Sequence, residues 1–239
     1  MRAAPEARAE ELKAAAWALA QRRREPVQRI VELGAGSGYA TPTLSNQLAV
    51  HGELVACDPS PYMLDHLQVL PGMRKLVATP SHIDLPDSSV DLVFSMASFH
   101  HVQNKAVAFD EIRRVLKESG ELLLVDVEFG TSAQRFFDHV VQRYCRTGHE
   151  VDFLDRHFVE LLAERSGLHV GWTECVETDW QFDDEPSALA YIARLFGLEI
   201  STEKLRSHVQ RWLRPVLHKD GRVTVPWSLG CYLLYKSTI

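Results

Sequence analysis

Three glycines at alternate positions, Gly34, Gly36 and Gly38, follow a short apolar run and precede a helical pattern. Glycine adopts positive φ without strain and lets a ligand approach the backbone closely. A strand, a glycine loop and a helix in this order are typical of an open α/β sheet that binds a nucleotide beyond the carboxyl end of its first strand. A tight turn without a ligand is the alternative, although three glycines in a turn that starts a helix are costly.

The residues around the loop indicate which ligand it favours. A phosphate-binding loop has the pattern GxGxxG or GxxxxGK[ST], whereas this loop is GxGxG with no lysine after it. Glu32 would repel a pyrophosphate but would suit a ligand that carries an ammonium and a sulfonium group. Asp58 ends the next apolar run, about twenty residues further on, where an acid binds the ribose hydroxyls. Taken alone, Asp58 is also a candidate helix N-cap.

Strand and helix patterns alternate between residues 28 and 128, and nearly continuous apolar strands favour a parallel sheet that helices cover on both faces. A helix is predicted from Pro5 to about Arg24, ended by Pro26, and another from the glycine loop to about Val50, broken by Gly52. The core strands are predicted at Arg29–Leu33, Leu54–Cys57, Lys75–Ala78, Val90–Ser95 and Leu122–Val127. After Phe129 we expect helices over 133–146, 153–166, 186–196 and 202–213, and strands over 169–182 and 223–235 with a bend at Pro226.

Charge and cysteine content limit the partners. The chain has 26 basic and 32 acidic residues and a net charge of -6, which argues against nucleic acid as the main partner. We interpret the basic run Arg22–Arg24 as a solvated helix end. The four cysteines are scattered without metal-ligand or redox spacing, so no metal site is expected. Reduced thiols fit a cytoplasmic protein, and we find neither a secretion signal nor an apolar run of about eighteen residues that would span a membrane.

Four segments in order carry a resemblance to a known family. They are VELGAGSGYAT (residues 31–41), ACDPSPYML (56–64), LPDSSVDLVFSMASFHHV (85–102) and FDEIRRVLK (109–117) followed by Gly120. This chain resembles the class I S-adenosylmethionine-dependent methyltransferases, in particular the type 11 methyltransferase domain family, over residues 28–128. The resemblance implies an α/β fold, a Rossmann-like, seven-stranded, mainly parallel sheet with helices on both faces and one antiparallel edge. We expect a single domain over residues 1–239: an N-terminal helix (1–27), the cofactor-binding core (28–128) and a last segment (129–239) whose inserted helices cap the substrate.

The resemblance also implies S-adenosylmethionine as the cofactor and a set of residues that bind it. These are Glu32, Gly34, Ala35, Gly36, Gly38, Asp58, Pro59, Met63, Thr79, Pro80, Ser95 and Met96. Thr79 departs from the family, whose members usually have an acid at this position to receive the adenine amino group. A hydroxyl is a weaker acceptor than a carboxylate.

Methyl transfer requires the nucleophile to be aligned with an already activated methyl group. A general base helps only where the nucleophile is protonated at neutral pH. His100 and His101 follow the fourth strand and are candidates for that role, with packing at the strand end as the alternative. We therefore predict an enzyme that methylates an O, N or C atom of a small molecule, with no nucleic acid or membrane partner. A non-catalytic cofactor-binding module or partner subunit is the main alternative, ahead of an NAD(P)-dependent oxidoreductase and an RNA methyltransferase.

Overall fold

The computed structural model describes residues 5–22 and 27–236 and divides them into two compact units. The core unit contains Ala15–Asp126, Leu154–Glu174 and the segment that begins at Gly230. The second unit contains the residues up to Ala14, Val127–Phe153 and Cys175–Leu229. The predicted helix end at Pro26 lies outside the described residues, and the single-domain organisation stays a prediction. No helix in the described ranges is long and apolar enough to cross a membrane.

Ten strands form two sheets in the part of the chain that the structure describes. They are β1 (Val27–Leu33), β2 (Leu48–Asp58), β3 (Met73–Val77), β4 (Val90–Met96), β5 (Leu116–Asp126), β6 (His169–Glu177), β7 (Trp180–Phe182), β8 (Val216–Leu217), β9 (Val223–Val225) and β10 (Ser228–Tyr235). The larger sheet has the order β3-β2-β1-β4-β5-β10-β6. Its first five strands pair in parallel, and β10 pairs antiparallel with β5. The predicted seven-stranded, mainly parallel sheet with an antiparallel edge is confirmed.

The described residues also form helices. They are α1 (Ala9–Ala20) after a 3-10 turn at Pro5–Arg8, α2 (Thr41–Ser45), α3 (Pro61–Asp65), α4 (Lys105–Val115), α5 (Ser132–Phe136), α6 (Gln142–Tyr144), α7 (Arg156–Ser166), α8 (Glu185–Leu195) and α9 (Thr202–Trp212). A π-helical turn at Phe137–Val141 joins α5 to α6, so residues 132–144 run as one helical segment. In the core unit, α4 packs against α7, and both bury apolar side chains in the cluster beside the sheet.

The predicted helix from the glycine loop to Val50 is wrong beyond Ser45, because β2 already begins at Leu48. Leu48 pairs with Val27, and the register then shifts before Glu53 pairs with Arg29. His51 has φ 68° in this irregular stretch, so the chain bulges and remains a strand. Gly52 therefore lies inside the strand and does not break a helix.

The two long strands predicted near the end of the chain are each broken into two. The first breaks between β6 and β7, where the backbone N–H of Thr178 donates to the Trp227 carbonyl at 2.8 Å. The second breaks between β9 and β10, at the predicted bend around Pro226. The pieces β7 and β9 join the short strand β8 in a separate three-stranded antiparallel sheet in the second unit, which the sequence pattern does not indicate.

Arg22 is not part of a solvated helix end. It is only 8% exposed, and its Nε lies 2.7 Å from Oε2 of the equally buried Glu121. The ion pair with Glu121 explains how the Arg22 charge is tolerated away from water. Arg23 and Arg24 lie outside the described residues.

Candidate cofactor-binding site

The candidate site lies in the core unit, at the edge of the sheet where the parallel strands end. Leu33, Asp58, Met96 and Asp126 are the last residues of β1, β2, β4 and β5. Strand β1 has β2 on one side and β4 on the other, so the chain order reverses there. Ligands of open α/β sheets bind in the crevice at such a switch point. This crevice brings the glycine loop after β1 together with the residues that follow β4.

All three glycines of the loop have positive φ: 72° at Gly34, 55° at Gly36 and 92° at Gly38. A Cβ atom at Gly34 would lie 2.1 Å from the Ser98 hydroxyl oxygen, and one at Gly38 would lie 2.2 Å from Cδ1 of Leu67. Those two positions thus require glycine for packing within the protein. A Cβ atom at Gly36 would meet only Cε of Met63, at an ordinary contact distance of 3.5 Å, so the positive φ of this residue, and not a clash with a neighbour, favours glycine here.

Asp58 links the glycine loop to the turn after β2. Its Oδ2 accepts a hydrogen bond from the Gly36 N–H and its Oδ1 accepts one from the Ser60 N–H, each at 2.9 Å. The N-cap of α3 is Ser60, whose hydroxyl oxygen accepts from the Met63 N–H, so the N-cap alternative for Asp58 is wrong. Each carboxylate oxygen retains acceptor capacity for a ligand hydroxyl, because an ionised carboxylate has about four lone-pair sites.

Glu32 is a buried carboxyl group at the end of β1. Its Oε2 accepts a hydrogen bond from the Thr41 hydroxyl at 2.7 Å. Burial raises the pKa of Glu32 to about 8, the Thr41 hydrogen bond lowers it in part, and the negative charge of Asp58 raises it further. The carboxyl group is therefore mostly neutral at pH 7, and a cation bound beside it would favour its ionised form.

The residues after β4 also approach the glycine loop. Ser95 is buried, and its hydroxyl oxygen lies 2.8 Å from that of Ser98, which in turn donates to the Leu33 carbonyl at 3.1 Å. Ser98 thereby joins β4 to β1, a role that we did not predict from the sequence. Met96 is buried, and the following Ala97 has φ 48°, a strained value for a residue other than glycine.

Four other predicted cofactor residues lie near strand ends. Ala35, like Gly34, donates its backbone N–H to the Cys57 carbonyl at 2.9 Å, so the loop is fixed against β2. Pro59 is exposed in the turn between Asp58 and Ser60. Thr79 is also exposed after β3 and is followed by Pro80, and its carbonyl accepts from the His82 N–H at 3.0 Å. Their contacts with the cofactor stay predictions.

His100 is buried and paired with an acid that we did not predict from the sequence. Its Nδ1 lies 2.6 Å from Oδ1 of Asp126, and its backbone N–H donates to Oδ2 of the same carboxylate at 3.0 Å. Asp126 ends the apolar strand β5 beside β4, and that acid at a strand end was the signal available in the sequence. His101 is exposed and packs its ring against that of His100, with 4.2 Å between the ring centroids.

Comparisons with known proteins place these residues in a family. The family model described as a methyltransferase domain matches residues 31–124. An uncharacterized methyltransferase of Mycobacterium tuberculosis is 41% identical over 100 residues, which cover 41% of this chain and 39% of that relative. Residues 31–124 thus match the methyltransferase domain family, and the chain spans about two fifths of the length of that relative.

Solved structures share the fold at low sequence identity. YcgJ of Bacillus subtilis has a TM-score of 0.66 and 18% identity, over 96% of this chain and 100% of that one. A phosphoethanolamine N-methyltransferase of Haemonchus contortus, solved with S-adenosylhomocysteine, has a TM-score of 0.60 and 18% identity, over 94% of this chain and 53% of that one. At these identities the similarity shows the fold alone.

The residues present fit S-adenosylmethionine. Glu32 offers a buried carboxyl group to a cation, and Asp58 offers acceptors to ribose hydroxyls. No lysine follows the loop to bind a phosphate.

Proposed function

We propose that the protein transfers the methyl group of S-adenosylmethionine to an O, N or C atom of a small molecule. The observation that carries the proposal is the buried pair of His100 and Asp126, at the same edge of the sheet as the glycine loop. A module that only binds the cofactor has no use for a histidine oriented in this way, whereas an enzyme that deprotonates its acceptor does.

The binding residues divide between the polar groups of the cofactor. Glu32 faces the ammonium group, Asp58 accepts from the ribose hydroxyls, and Met63 packs against the apolar part of the nucleoside. The cofactor supplies an activated methyl group when bound. The remaining task of the protein is to align the acceptor and exclude water.

His100 is the proposed general base. Because a carboxylate only accepts hydrogen bonds, Asp126 fixes the tautomer in which Nδ1 of His100 carries the proton. Nε2 is then the basic atom, and it takes the proton of a hydroxyl or amine acceptor as the new bond to carbon forms. His101 packs against the His100 ring with 44° between the ring planes and is the second candidate.

Charge supports a small acceptor over a polymer. A net charge of -6 gives no overall attraction to a phosphate backbone. We also propose a cytoplasmic location, which suits the four free cysteines. The chain covers only 39% of its Mycobacterium tuberculosis relative. The proposal of a small acceptor therefore rests on this chain's own residues and not on that relative.

Calorimetry and a labelling screen test the proposal. S-adenosylhomocysteine should bind and NAD should not, which separates a methyltransferase from an oxidoreductase. Incubation with methyl-labelled S-adenosylmethionine and fractionated metabolites should then label at least one small molecule, and His100→Asn should abolish the labelling while it retains S-adenosylhomocysteine binding. Binding without any labelled product would instead favour the non-catalytic module, and label in RNA would favour an RNA methyltransferase.

A further inference from the structure

A cavity lies wholly within the second unit, and none of its lining residues is among those assigned above. Its volume is about 490 Å³. Helices α5 and α9, which pack against each other, supply most of its lining. The polar and aromatic lining residues are Ser132, Arg135, Arg211, Trp212 and Arg214. The volume is within the range of pockets that bind small organic molecules.

Three of these lining residues are arginines without an acidic partner. Among the residues that the structure describes, no carboxylate forms an ion pair with Arg135, Arg211 or Arg214. Asp138, the acid nearest to Arg135 in sequence, accepts a hydrogen bond from Gln134 instead. All three arginines are exposed, so water screens their mutual repulsion, and an anion between them would replace that water with charge-assisted hydrogen bonds.

Arg214 also has a backbone conformation that residues other than glycine rarely adopt. It follows the last turn of α9 with φ 52°, and its N–H donates to the Val209 carbonyl at 3.0 Å. Glycine usually occupies this position after a helix. Pro215 follows and restricts the backbone further. An arginine kept in a strained position, with its side chain lining a cavity, indicates a functional constraint on that side chain.

The cavity also has a rigid apolar wall. The Trp212 ring stacks on His139, with 4.1 Å between centroids and 12° between planes, so the indole is fixed in orientation. The guanidinium of Arg211 lies 4.9 Å from the Trp212 ring centroid. Leu213 and Pro226 complete the lining. A ligand would therefore meet cations on some sides of the cavity and apolar surface on others.

We propose that this cavity binds a small organic anion, an apolar body that carries a phosphate or carboxylate group. Arginine forks match the geometry of both oxyanions and bind them through paired hydrogen bonds. The Ser132 hydroxyl lies one helical turn from Arg135, on the same side of the helical segment, and adds a neutral donor. The net charge of -6 disfavours a polyanion that would extend over the surrounding surface.

Titration calorimetry on the full chain at low ionic strength tests the proposal. The probes are phenyl phosphate, benzoate, benzyl alcohol and inorganic phosphate. Phenyl phosphate or benzoate should bind saturably, and the tighter of the two identifies the oxyanion. Benzyl alcohol should not bind, and inorganic phosphate should bind more weakly than the tighter aromatic anion. Each of Arg135→Gln and Arg214→Gly should weaken that anion about tenfold or more, because charge-assisted hydrogen bonds are lost.

Arg214→Gly separates binding from folding. Glycine relieves the positive φ, so this variant should melt at or above the wild-type temperature while it loses anion affinity. Arg222→Gln is the matched control, because Arg222 is an exposed arginine of the same unit that pairs with Asp220 outside the cavity. It should bind the probe like wild type, and all three variants should still bind S-adenosylhomocysteine.

Four results would overturn the proposal. They are no binding of either aromatic anion, wild-type affinity in both Arg135→Gln and Arg214→Gly, equal affinity for inorganic phosphate, and tight binding of a thymidine oligonucleotide that Arg135→Gln weakens. The last result would assign the surface to nucleic acid.

Discussion

Nδ1 of His100 lies 2.6 Å from Oδ1 of Asp126, and the other oxygen of that carboxylate accepts the backbone N–H of the same histidine. One acid thus fixes both the ring and the main chain of His100. The two residues are nine-tenths or more buried, at 6% and 1% exposure, so little water competes for these bonds. The consequence for an enzyme is a histidine with one tautomer and one orientation.

Asp126→Asn should lower kcat strongly and affect cofactor binding little. The amide can keep one hydrogen bond to the backbone, but it no longer selects the tautomer with a proton on Nδ1. Loss of a general base of this kind typically costs about 10²- to 10⁴-fold in rate. Steady-state kinetics with the acceptor from the labelling screen measures kcat, and calorimetry measures S-adenosylhomocysteine affinity.

The pH profile separates catalysis from packing in that variant. The proposed role predicts that kcat of the wild type rises with pH and that this rise shifts or disappears in Asp126→Asn. A purely structural pair predicts a lower melting temperature with an unchanged kcat profile, and that result would refute the assignment of His100 as base.

The stability of the ligand-free protein should fall as pH rises, because of Glu32. Burial is the main cause of the rise of the Glu32 pKa from 4.5 to about 8. The folded state therefore keeps a proton that the unfolded state loses, and unfolding becomes easier between these two pH values. The contribution of this group is complete below about pH 4.5 and falls by up to ~1.4 kcal/mol per pH unit up to about pH 8.

Urea denaturation of wild type and Glu32→Gln across that range measures the effect. Glutamine keeps the shape and the acceptor oxygen but does not ionise, so the variant should lack this part of the pH dependence. Parallel curves for the two proteins would mean that Glu32 is already ionised in the folded state.

Cofactor binding should release a proton from the same group. A ligand ammonium beside Glu32 favours the carboxylate, so the complex should hold about one proton less than the free protein near pH 7. Calorimetry with S-adenosylhomocysteine in buffers of different ionisation enthalpy counts the released protons. Glu32→Gln should bind S-adenosylhomocysteine more weakly and release no proton. Equal proton release from wild type and variant would show that the ligand ammonium does not lie beside Glu32.

The sequence predicted the core sheet and the loop because those features depend on local patterns. The apolar strands β1 and β4 are buried along most of their length, and Gly34–Gly38 adopts the positive φ values that its glycines permit. The Asp126 contact was missed because it joins two strand ends 26 residues apart in the chain. The Ser98 contact with Leu33 spans 65 residues and has no local pattern either.

The two long strands predicted near the end of the chain were wrong for a different reason. The runs 169–182 and 223–235 read as continuous strands, since alternation of apolar residues persists across each break. The breaks are fixed by long-range pairing of Thr178 with Trp227 and by the Asp179 side chain, which accepts from the Trp227 N–H at 3.1 Å. Side-chain and sheet contacts over such distances are not encoded in a local window.

Gly34→Ala should destabilise the protein by more than backbone strain alone. A Cβ atom would meet the Ser98 oxygen and also force alanine into φ 72°. Gly130 is the matched control, since it has φ 86° with nothing within 4 Å of a Cβ. Gly130→Ala should cost roughly 1–2 kcal/mol of unfolding free energy and Gly34→Ala clearly more.

A double variant isolates the clash. Ser98→Gly added to Gly34→Ala removes the obstructing side chain but leaves the strain of φ, so it should recover part of the stability. Denaturation curves of the variants provide the comparison, and equal losses for Gly34→Ala and Gly130→Ala would show that Ser98 simply moves aside.

Asp58→Ala should reduce both cofactor affinity and stability. The substitution removes the acceptors for Gly36 and Ser60, which we expect to cost about 1–3 kcal/mol of unfolding free energy. It also removes the proposed ribose contacts, and after partial replacement by water we expect affinity for S-adenosylhomocysteine to fall roughly 30- to 1000-fold, or about 2–4 kcal/mol. Ser60→Ala is the control: it removes only the N-cap of α3, costs about 1 kcal/mol of stability and leaves affinity nearly unchanged. Paired thermal melts and titrations compare the two. An Asp58→Ala protein that melts early yet binds S-adenosylhomocysteine like wild type would show that this carboxylate only holds the glycine loop and that the ribose binds elsewhere.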